Sequence, residues 1–495
     1  MIFFGAIAVG AFVVLAIRYF VMIEQARRAI RSKRVPTVPC VLPWWGQALE
    51  FGKDRNALFK RCQAAYGRVF KLTLAGTSMI VVCDADLWKL MLRTKETTDG
   101  MEDVFAESIA NFWSPVMSKG EAYAAQSCPR HMREIRTEIQ SSTHLSDLTK
   151  RAQAELGALS NDWHGKTLSL RFASSLAIFR ASVAALYGPS RVSELCDDDE
   201  FRKDMLTFDW GLSAKAQGLP AWLSPEVAAS QEAIKRVVLG RRQAIRTSHE
   251  KSAIIAGVEQ RITEREQAGV AVEGDADAGV IVLLWAAIVN TFNAAFYMMY
   301  YVARDPQVAA RIRAEALAVA EQDGSLSLAA LGKLPLTDSV INESLRLHGG
   351  GATARRTGDA PVERMITKST LASESSATIE LHDVPARTQI FGFMGAMLRD
   401  ERRFANADEF VATRFLSASK EDAALAELVF GGGSHMCPGR FFVRNELRAF
   451  LTGICMRFDM TCDKKTAPKQ RNDELNSLVQ APIEDAQITF RQIEK

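Results

Sequence analysis

The chain is poor in histidine, with seven in 495 residues, and no two of its cysteines are separated by two residues. Zinc sites of the usual spacing are built from such cysteine and histidine pairs, so the sequence argues against one. The eight cysteines are spread over a long chain, whereas disulfide frameworks belong to short secreted domains. We therefore expect mostly free, buried thiols in a reducing compartment.

Several other features are missing. The formal net charge is only +3, too small to indicate a nucleic-acid partner. There is no internal repeat, no low-complexity tract, and no flavin- or nicotinamide-binding motif. No linker rich in proline or glycine interrupts the body, and 48% of the residues are hydrophobic. These properties predict one large domain with a substantial core.

The N-terminus carries a long apolar run. Residues 2–23 are apolar except for Arg18, and as a helix they would extend about 33 Å, enough to cross a bilayer. We predict a transmembrane anchor at 1–23, followed by a basic and proline-rich hinge at 24–45. A cleaved signal peptide is the rival interpretation, but it places its positive charge before the apolar run. Here the positive charge follows the run, which leaves the body of the protein in the cytosol.

The remaining chain, 46–495, is predicted to be one domain that is mainly α with a smaller β region. Residues 67–84 have strand character around a glycine-containing turn. Residues 350–395 form short strand-like runs broken by glycine and proline. The helical pattern is strongest in four segments. These are 140–160, 225–265, 279–304 and 440–456.

The strongest local signal is FGGGSHMCPGRFF, residues 430–442. A lone cysteine, Cys437, lies behind a glycine-rich loop and just before a predicted helix. Glycines allow a close approach of the backbone to a bulky, flat group. Backbone N–H groups near a helix N-terminus favour a thiolate. A buried structural cysteine in a glycine turn is the alternative.

The full pattern resembles the haem-binding loop of the cytochrome P-450 family. The matching residues are Phe430, Gly433, His435, Cys437 and Gly439. The resemblance implies that Cys437 is the metal ligand, an axial thiolate to the iron of haem b. It also implies the family's fold, a mainly helical body with a β-rich region. The haem is then expected between the helix at 279–304 and the Cys437 loop.

A second family signature lies in ESLRLHG, where Glu343 and Arg346 share a helix face. Arg414 supplies the usual third member, and the resemblance implies a structural triad. A solvent-exposed pair is the alternative for the first two residues. The family's cations for the haem propionates map to Arg356 and His435, since arginine pairs well with carboxylates. Arg355 is a neighbour that could substitute, and both cations could be ordinary surface or loop residues.

The predicted helix at 279–304 departs from the family pattern. Family members usually carry an acid–threonine pair that relays protons, but here Val289 and Asn290 take those places, followed by Thr291. We take Asn290 and Thr291 as catalytic candidates, because an amide can hold a water or dioxygen. Asn290 could instead be a buried polar residue satisfied by helix backbone. The departure resembles the branch of the sterol 7α- and 12α-hydroxylases and prostacyclin synthase.

The resemblance implies a monooxygenase that hydroxylates a hydrophobic, steroid- or sterol-like substrate. Electrons are expected from NADPH through a partner reductase, and the location implied is the endoplasmic reticulum membrane, single-pass, with a cytosolic catalytic domain. Arg440, Arg444 and Arg448 share a helix face that could steer the reductase or simply be solvated. Two other functions stay open. One is an isomerase or dehydratase acting on an oxidised lipid without a reductase, and the other is a non-enzymatic haem binder.

Overall fold

The computed structural model describes residues 2–93, 101–102, 135–197, 199–216, 225–240, 247–269, 275–323, 326–368, 378–433, 436–471 and 478–493. The fold within these ranges is mainly helical. The helices of the N-terminal half are α1 Ile2–Arg31, α2 Ala48–Tyr66, α3 Ala85–Arg93, α4 Ser142–Ser160, α5 Leu170–Tyr187, α6 Val192–Cys196, α7 Asp199–Ala216, α8 Pro225–Gly240 and α9 Ala253–Gln267. Those that follow are α10 Asp275–Arg304, α11 Pro306–Asp323, α12 Leu328–Leu331, α13 Pro335–His348, α14 Met394–Met397, α15 Lys420–Ala426 and α16 Arg440–Cys455.

The β region is smaller and, among the described residues, consists of three sheets. Its strands are β1 Val69–Leu74, β2 Thr77–Val82, β3 Met101–Glu102, β4 Thr167–Ser169, β5 Ala352–Thr357, β6 Val362–Lys368, β7 Thr378–Val384, β8 Gln389–Phe393, β9 Phe458–Cys462 and β10 Gln487–Gln492. The largest sheet has the order β1-β2-β8-β5-β3, in which only the β2–β8 pair is parallel. The other two sheets are β4-β10-β9 and the hairpin β6-β7. The mainly α architecture with a smaller β region is therefore confirmed.

The two most apolar long helices form the centre of the core. Among the described residues, α5 and the segment Leu283–Arg304 of α10 are long and apolar enough to cross a membrane, yet 78% of each is buried in the protein. A helix that is apolar on all sides is normally a core helix when other elements cover it. α10 packs against α5, α13 and α16, which brings the middle of the chain against the helix that follows Cys437.

The sequence-based prediction of secondary structure was right for most elements and wrong for one. β1 and β2 with the turn at Gly76 reproduce the predicted strand pair at 67–84. The single helix predicted at 225–265 is instead interrupted, because residues 248–252, between α8 and α9, are not helical. Ser252 starts α9, because its side chain accepts a hydrogen bond from the Ile255 N–H and so caps the helix.

The N-terminal helix exposes several side chains of its apolar run. Within α1, Phe12, Val14, Ile17 and Phe20 are each more than half exposed. The helix continues to Arg31, beyond the apolar run, so the boundary between anchor and hinge at residue 23 lies inside one helix. Exposed apolar side chains in a row are unusual on a protein surface that faces water.

Candidate active site

The loop that holds Cys437 is closed by its own backbone. The Cys437 N–H donates to the carbonyl of Phe430 at 2.7 Å. Gly433 adopts a positive φ of 59°, and a Cβ at this residue would lie 2.0 Å from the carbonyl oxygen of Leu92. Only glycine therefore fits where the loop touches the end of α3. The sequence motif thus dictates a tight turn that ends at the N-terminus of α16.

The surroundings of the Cys437 thiol have opposite effects on its pKa. Burial raises its pKa, while the backbone N–H groups of Gly439 and Arg440 and the positive charge of Arg440 lower it. N–H groups aimed at sulfur stabilise the thiolate. A bound metal cation would add the missing favourable charge and keep the sulfur deprotonated. The residue as a whole is of intermediate exposure, whereas burial has the largest effect on the thiol.

Arginine side chains brace the loop. Arg440 donates to the carbonyl of Cys437 at 3.1 Å and lies over the Phe441 ring. Arg136 donates to the carbonyl of Met436 at 3.4 Å. His435 lies outside the described residues, so its predicted propionate contact stays a prediction.

The cation beside the loop is Arg355. Neighbouring residues on a strand point to opposite faces of the sheet, so Arg355 and Arg356 on β5 diverge. Arg355 is buried, donates to the carbonyl of Leu92 at 3.3 Å, and lies 3.9 Å from where a Cβ of Gly433 would be. The geometry thus favours Arg355, the substitute weighed above, over Arg356 as the haem-side cation.

The predicted triad residues lie in direct contact. Glu343 and Arg346 are fully buried on α13, with Arg346 Nε 2.7 Å from Glu343 Oε2 and Nη2 2.9 Å from Oε1. Arg414 Nε lies 2.9 Å from Glu343 Oε1, which also accepts the Val411 N–H. Arg346 further donates to the carbonyls of Leu398 and Ala407. Such complete pairing offsets the desolvation of buried charges, and the pair is not the exposed one considered as the alternative.

On α10, the two catalytic candidates differ in exposure. Asn290 is partly exposed, and its side-chain oxygen accepts the Val479 N–H at 3.1 Å. Thr291 is buried, with 1% of its surface exposed. The partner of Asn290 is thus the backbone of another segment and not its own helix. Phe292 and Phe296, on the same helix, are buried in the core.

Sequence reasoning missed one acidic group next to this helix. Asp209 on α7 accepts a hydrogen bond from Trp285 Nε1 at 3.0 Å. Burial raises the pKa of Asp209 to about 6, although the bond from Trp285 works in the opposite direction. No local pattern marks this aspartate, because its partner lies on a different helix.

The arginine face of α16 is not a free positive surface. Arg444 pairs with Glu427, and Arg448 lies 2.7 Å from Asp338. Arg444 also bonds Asn342. These contacts tie α16 to α13 and to the segment before the Cys437 loop. They weaken the idea that the three arginines steer a reductase.

The residues present fit a haem held by one sulfur. Cys437 offers a single thiol with two backbone N–H groups directed at it, and Arg355 supplies a buried cation next to the same loop. Within the described ranges, no group of three or more histidine, cysteine or acidic residues could hold a metal ion by itself. The arrangement therefore defines a mainly helical protein in which one protein thiolate, that of Cys437, would bind the metal of a larger prosthetic group.

Comparisons with known proteins identify the family. The family model for cytochrome P450 matches residues 225–490, more than half of the chain and including the Cys437 loop. The chain belongs to the cytochrome P450 family, and its relatives define it as a cytochrome P450 monooxygenase.

Curated relatives resemble the chain over most of its length. Lanosterol 14-alpha demethylase of Eremothecium gossypii is 22% identical, with 97% of this chain and 92% of that protein covered. Human prostacyclin synthase is 24% identical over 85% of this chain and 86% of that enzyme. The solved structure of the retinoic acid-bound cyanobacterial CYP120A1 superposes with a TM-score of 0.69 at 18% identity, covering 93% of this chain and all of that one. This last likeness shows the fold.

Proposed function

We propose that the protein hydroxylates a C–H bond of a hydrophobic, steroid- or sterol-like substrate, using O2 and electrons that reach it from NADPH through a partner reductase. The observation that carries the proposal is the Cys437 loop, whose sulfur faces two backbone N–H groups. The similarity to lanosterol 14-alpha demethylase supports a sterol-like substrate. Since the chain has no flavin- or nicotinamide-binding motif, a separate flavoprotein must supply the electrons.

The protein's own residues would hold the haem and orient it. Cys437 would be the axial ligand of haem b, in a loop shaped by Phe430, Gly433 and Gly439, and Arg355 would pair with a haem carboxylate. When bound, haem with a thiolate ligand supplies the chemistry of O–O cleavage. The triad of Glu343, Arg346 and Arg414 would fix the surrounding backbone without touching the reacting atoms.

Asn290 would act on the oxygen side. Its carbonyl is occupied by the Val479 N–H, which fixes the orientation of the amide. The –NH2 group can then donate to a water or to dioxygen. Thr291 is buried beside it, so we assign the direct role to Asn290.

The N-terminal helix would anchor the protein in the endoplasmic reticulum membrane. Exposed Phe12, Val14, Ile17 and Phe20 would lie in the hydrocarbon, and basic residues follow the apolar run. The exposed Trp44 and Trp45 fit the membrane–water interface. The full chain should then resist alkaline extraction from membranes, whereas a chain without residues 2–31 should be released. Loss of the N-terminus by cleavage in cells would contradict the anchor.

A reconstituted reaction tests the main proposal. Haem-loaded protein is incubated with a flavoprotein reductase, NADPH, 18O2 and a panel of steroids and sterols, with Cys437→Ala as the control. We expect a product that gains one 18O atom, only with NADPH and only in the unaltered protein. Turnover of no panel member, with the reductase shown to reduce the haem, would contradict it.

An isomerase or dehydratase is the second candidate. The observations that favour it are Val289 in place of an acid next to Asn290, and the similarity to human prostacyclin synthase. NADPH dependence separates the two functions. Conversion of a lipid peroxide without NADPH or reductase, and no 18O2 incorporation, would establish the second.

A further inference from the structure

One face of α10 is polar although the helix is mostly apolar. Asn290, Asn293, Tyr297 and Tyr301 recur at intervals of three and four residues, so they lie on one face of the helix. Ala286 is exposed one turn before Asn290. The polar face therefore begins near Asn290 and runs toward the C-terminal end of α10.

At the upper end of this face, toward the N-terminus of α10, two asparagines bind the backbone of one residue. Asn290 accepts the Val479 N–H at 3.1 Å, and Asn293 donates from Nδ2 to the Val479 carbonyl at 3.0 Å. The second atom of the Asn293 amide, Oδ1, is buried and has no hydrogen-bond partner. The side-chain amide of Asn293, one turn after Asn290, thus has a hydrogen-bond partner for its nitrogen but none for its oxygen.

The lower end is organised around a buried histidine. The Tyr297 ring stacks on His348, with centroids 3.4 Å apart and planes 6° from parallel. Tyr301 Oη lies 3.0 Å from His348 Nε2, and Gln470 Oε1 lies 2.8 Å from Nδ1. Because an amide oxygen only accepts, Nδ1 carries the hydrogen and Nε2 accepts from Tyr301. Burial, aided by Arg399, lowers the pKa of His348 to about 3, so the ring is neutral.

This lower end opens to a surface cleft of about 830 Å³. Tyr301, His348 and Gln470 line it, together with the cations Arg399 and Lys469. The cleft is therefore wet and polar where it meets the last residues of the polar face.

Two unsatisfied atoms lie between the cleft and Asn290. Besides Asn293 Oδ1, the hydroxyl of Tyr297 is buried and has no hydrogen-bond partner. The two residues are one turn apart on the same face of α10. Buried polar atoms of this kind are normally satisfied, and an internal water is the usual partner when protein groups are absent.

We propose that Asn293 and Tyr297 hold internal water that connects the cleft at Tyr301 to Asn290, and that this path carries protons to the oxygen side of the site. The inference rests on the proposed monooxygenase function. Each hydroxylation consumes one O2, two electrons and two protons, and yields the alcohol and one water. The electrons come from NADPH through the reductase, and the protons come from solvent. The apolar Val289 stands where an acid would relay them, so another route is required.

Removing one hydroxyl tests the path. Tyr297→Phe deletes the water-binding atom and keeps the ring on His348. Tyr300→Phe is the matched control, because that tyrosine is also buried on α10 but faces Arg304 and Cys462. The measurements are product formed per NADPH, hydrogen peroxide released, and the ratio of rates in H2O and D2O. For Tyr297→Phe we expect a several-fold loss of coupling, more peroxide and a larger solvent isotope effect, with substrate affinity unchanged.

The outcomes separate this inference from the proposed function. If the unaltered protein and Tyr297→Phe couple equally and show equal isotope effects, the proton path is overturned, even if the variant melts at a lower temperature. If the unaltered protein forms no product with NADPH, the proposed function fails and so does its proton path. Melting then decides the water site alone. A lower midpoint in Tyr297→Phe than in Tyr300→Phe supports bound water, and an unchanged or higher midpoint overturns it.

Discussion

The Cys437 side and the Asn290 side of the candidate haem site are built from contacts of different range. On the Cys437 side, the loop is closed by a bond between Cys437 and Phe430, seven positions apart, and by N–H groups two and three residues onward. On the other side, Asn290 is fixed by Val479, 189 residues away. The residues of the first arrangement all belong to one contiguous sequence motif. The second exists only once α10 and the C-terminal segment have packed together.

The largest expected effect comes from a substitution in the buried triad that supports the Cys437 side. Arg346→Leu leaves the Glu343 carboxylate buried with a main partner missing, and we expect a loss of about 3–5 kcal/mol in the free energy of unfolding. Arg61→Ala is the control, because its pair with Glu50 is about half exposed and worth less than about 1 kcal/mol. Chemical denaturation measures both. Equal losses would show that burial of the triad is not important for stability.

The next prediction concerns the Asn290 side. Asn290→Leu removes the polar group, and we expect product formation to fall about 10²-fold, the usual lower size of a lost acid–base contribution. Asn290→Asp keeps an acceptor for the Val479 N–H and should lose less. Product, NADPH and peroxide are measured together. Unchanged coupling in Asn290→Leu would remove Asn290 from the oxygen chemistry.

A smaller effect distinguishes two neighbouring arginines. Arg355→Ala should weaken haem binding about tenfold or more, as for one lost charged hydrogen bond, because Arg355 lies beside Gly433. Arg356 lies on the other face of β5, so Arg356→Ala should weaken haem binding less. Haem transfer to an apoglobin gives the dissociation rates. Faster loss from the Arg356 variant would instead support Arg356 as the partner of the haem propionate.

The last prediction is a pH dependence on the Cys437 side. Glu446 on α16 is fully buried, and burial raises its pKa to about 8, although Ser182 donates to it at 2.9 Å. The folded state then binds a proton that the unfolded state has lost between about pH 4.5 and 8. This group therefore lowers stability as pH rises through that window, by at most about 1.4 kcal/mol per pH unit.

Glu446→Gln isolates that contribution. Relative to Glu446→Gln, the unaltered protein should lose stability between pH 5 and 8, and the two unfolding curves should become parallel above about pH 8. His348 works in the opposite sense, since its depressed pKa costs stability below about pH 6.5, but it is common to both proteins. A constant difference at every pH would mean that Glu446 does not change protonation on unfolding.

Local motifs and regular patterns were readable from the sequence. The strand pair at 67–84, the core helix and the order of Cys437, Glu343 and Arg414 all follow from short runs or fixed spacing. What the sequence left undecided depends on register and on distant partners. Whether Arg355 or Arg356 faces the loop is set by strand register, and the face of α16 is neutralised by Glu427 and Asp338 from other segments. Neither fact leaves a mark in the neighbouring sequence.

The most direct test of thiolate ligation is the absorbance difference spectrum of the reduced protein with and without carbon monoxide. It is recorded for the unaltered chain, for Cys437→Ala and for Cys462→Ala, a partly exposed cysteine elsewhere in the fold. The account predicts a strongly red-shifted Soret band in the unaltered chain and in Cys462→Ala, and its loss in Cys437→Ala. The absence of this band from folded, haem-loaded, unaltered protein would contradict the assignment of Cys437 as the iron ligand.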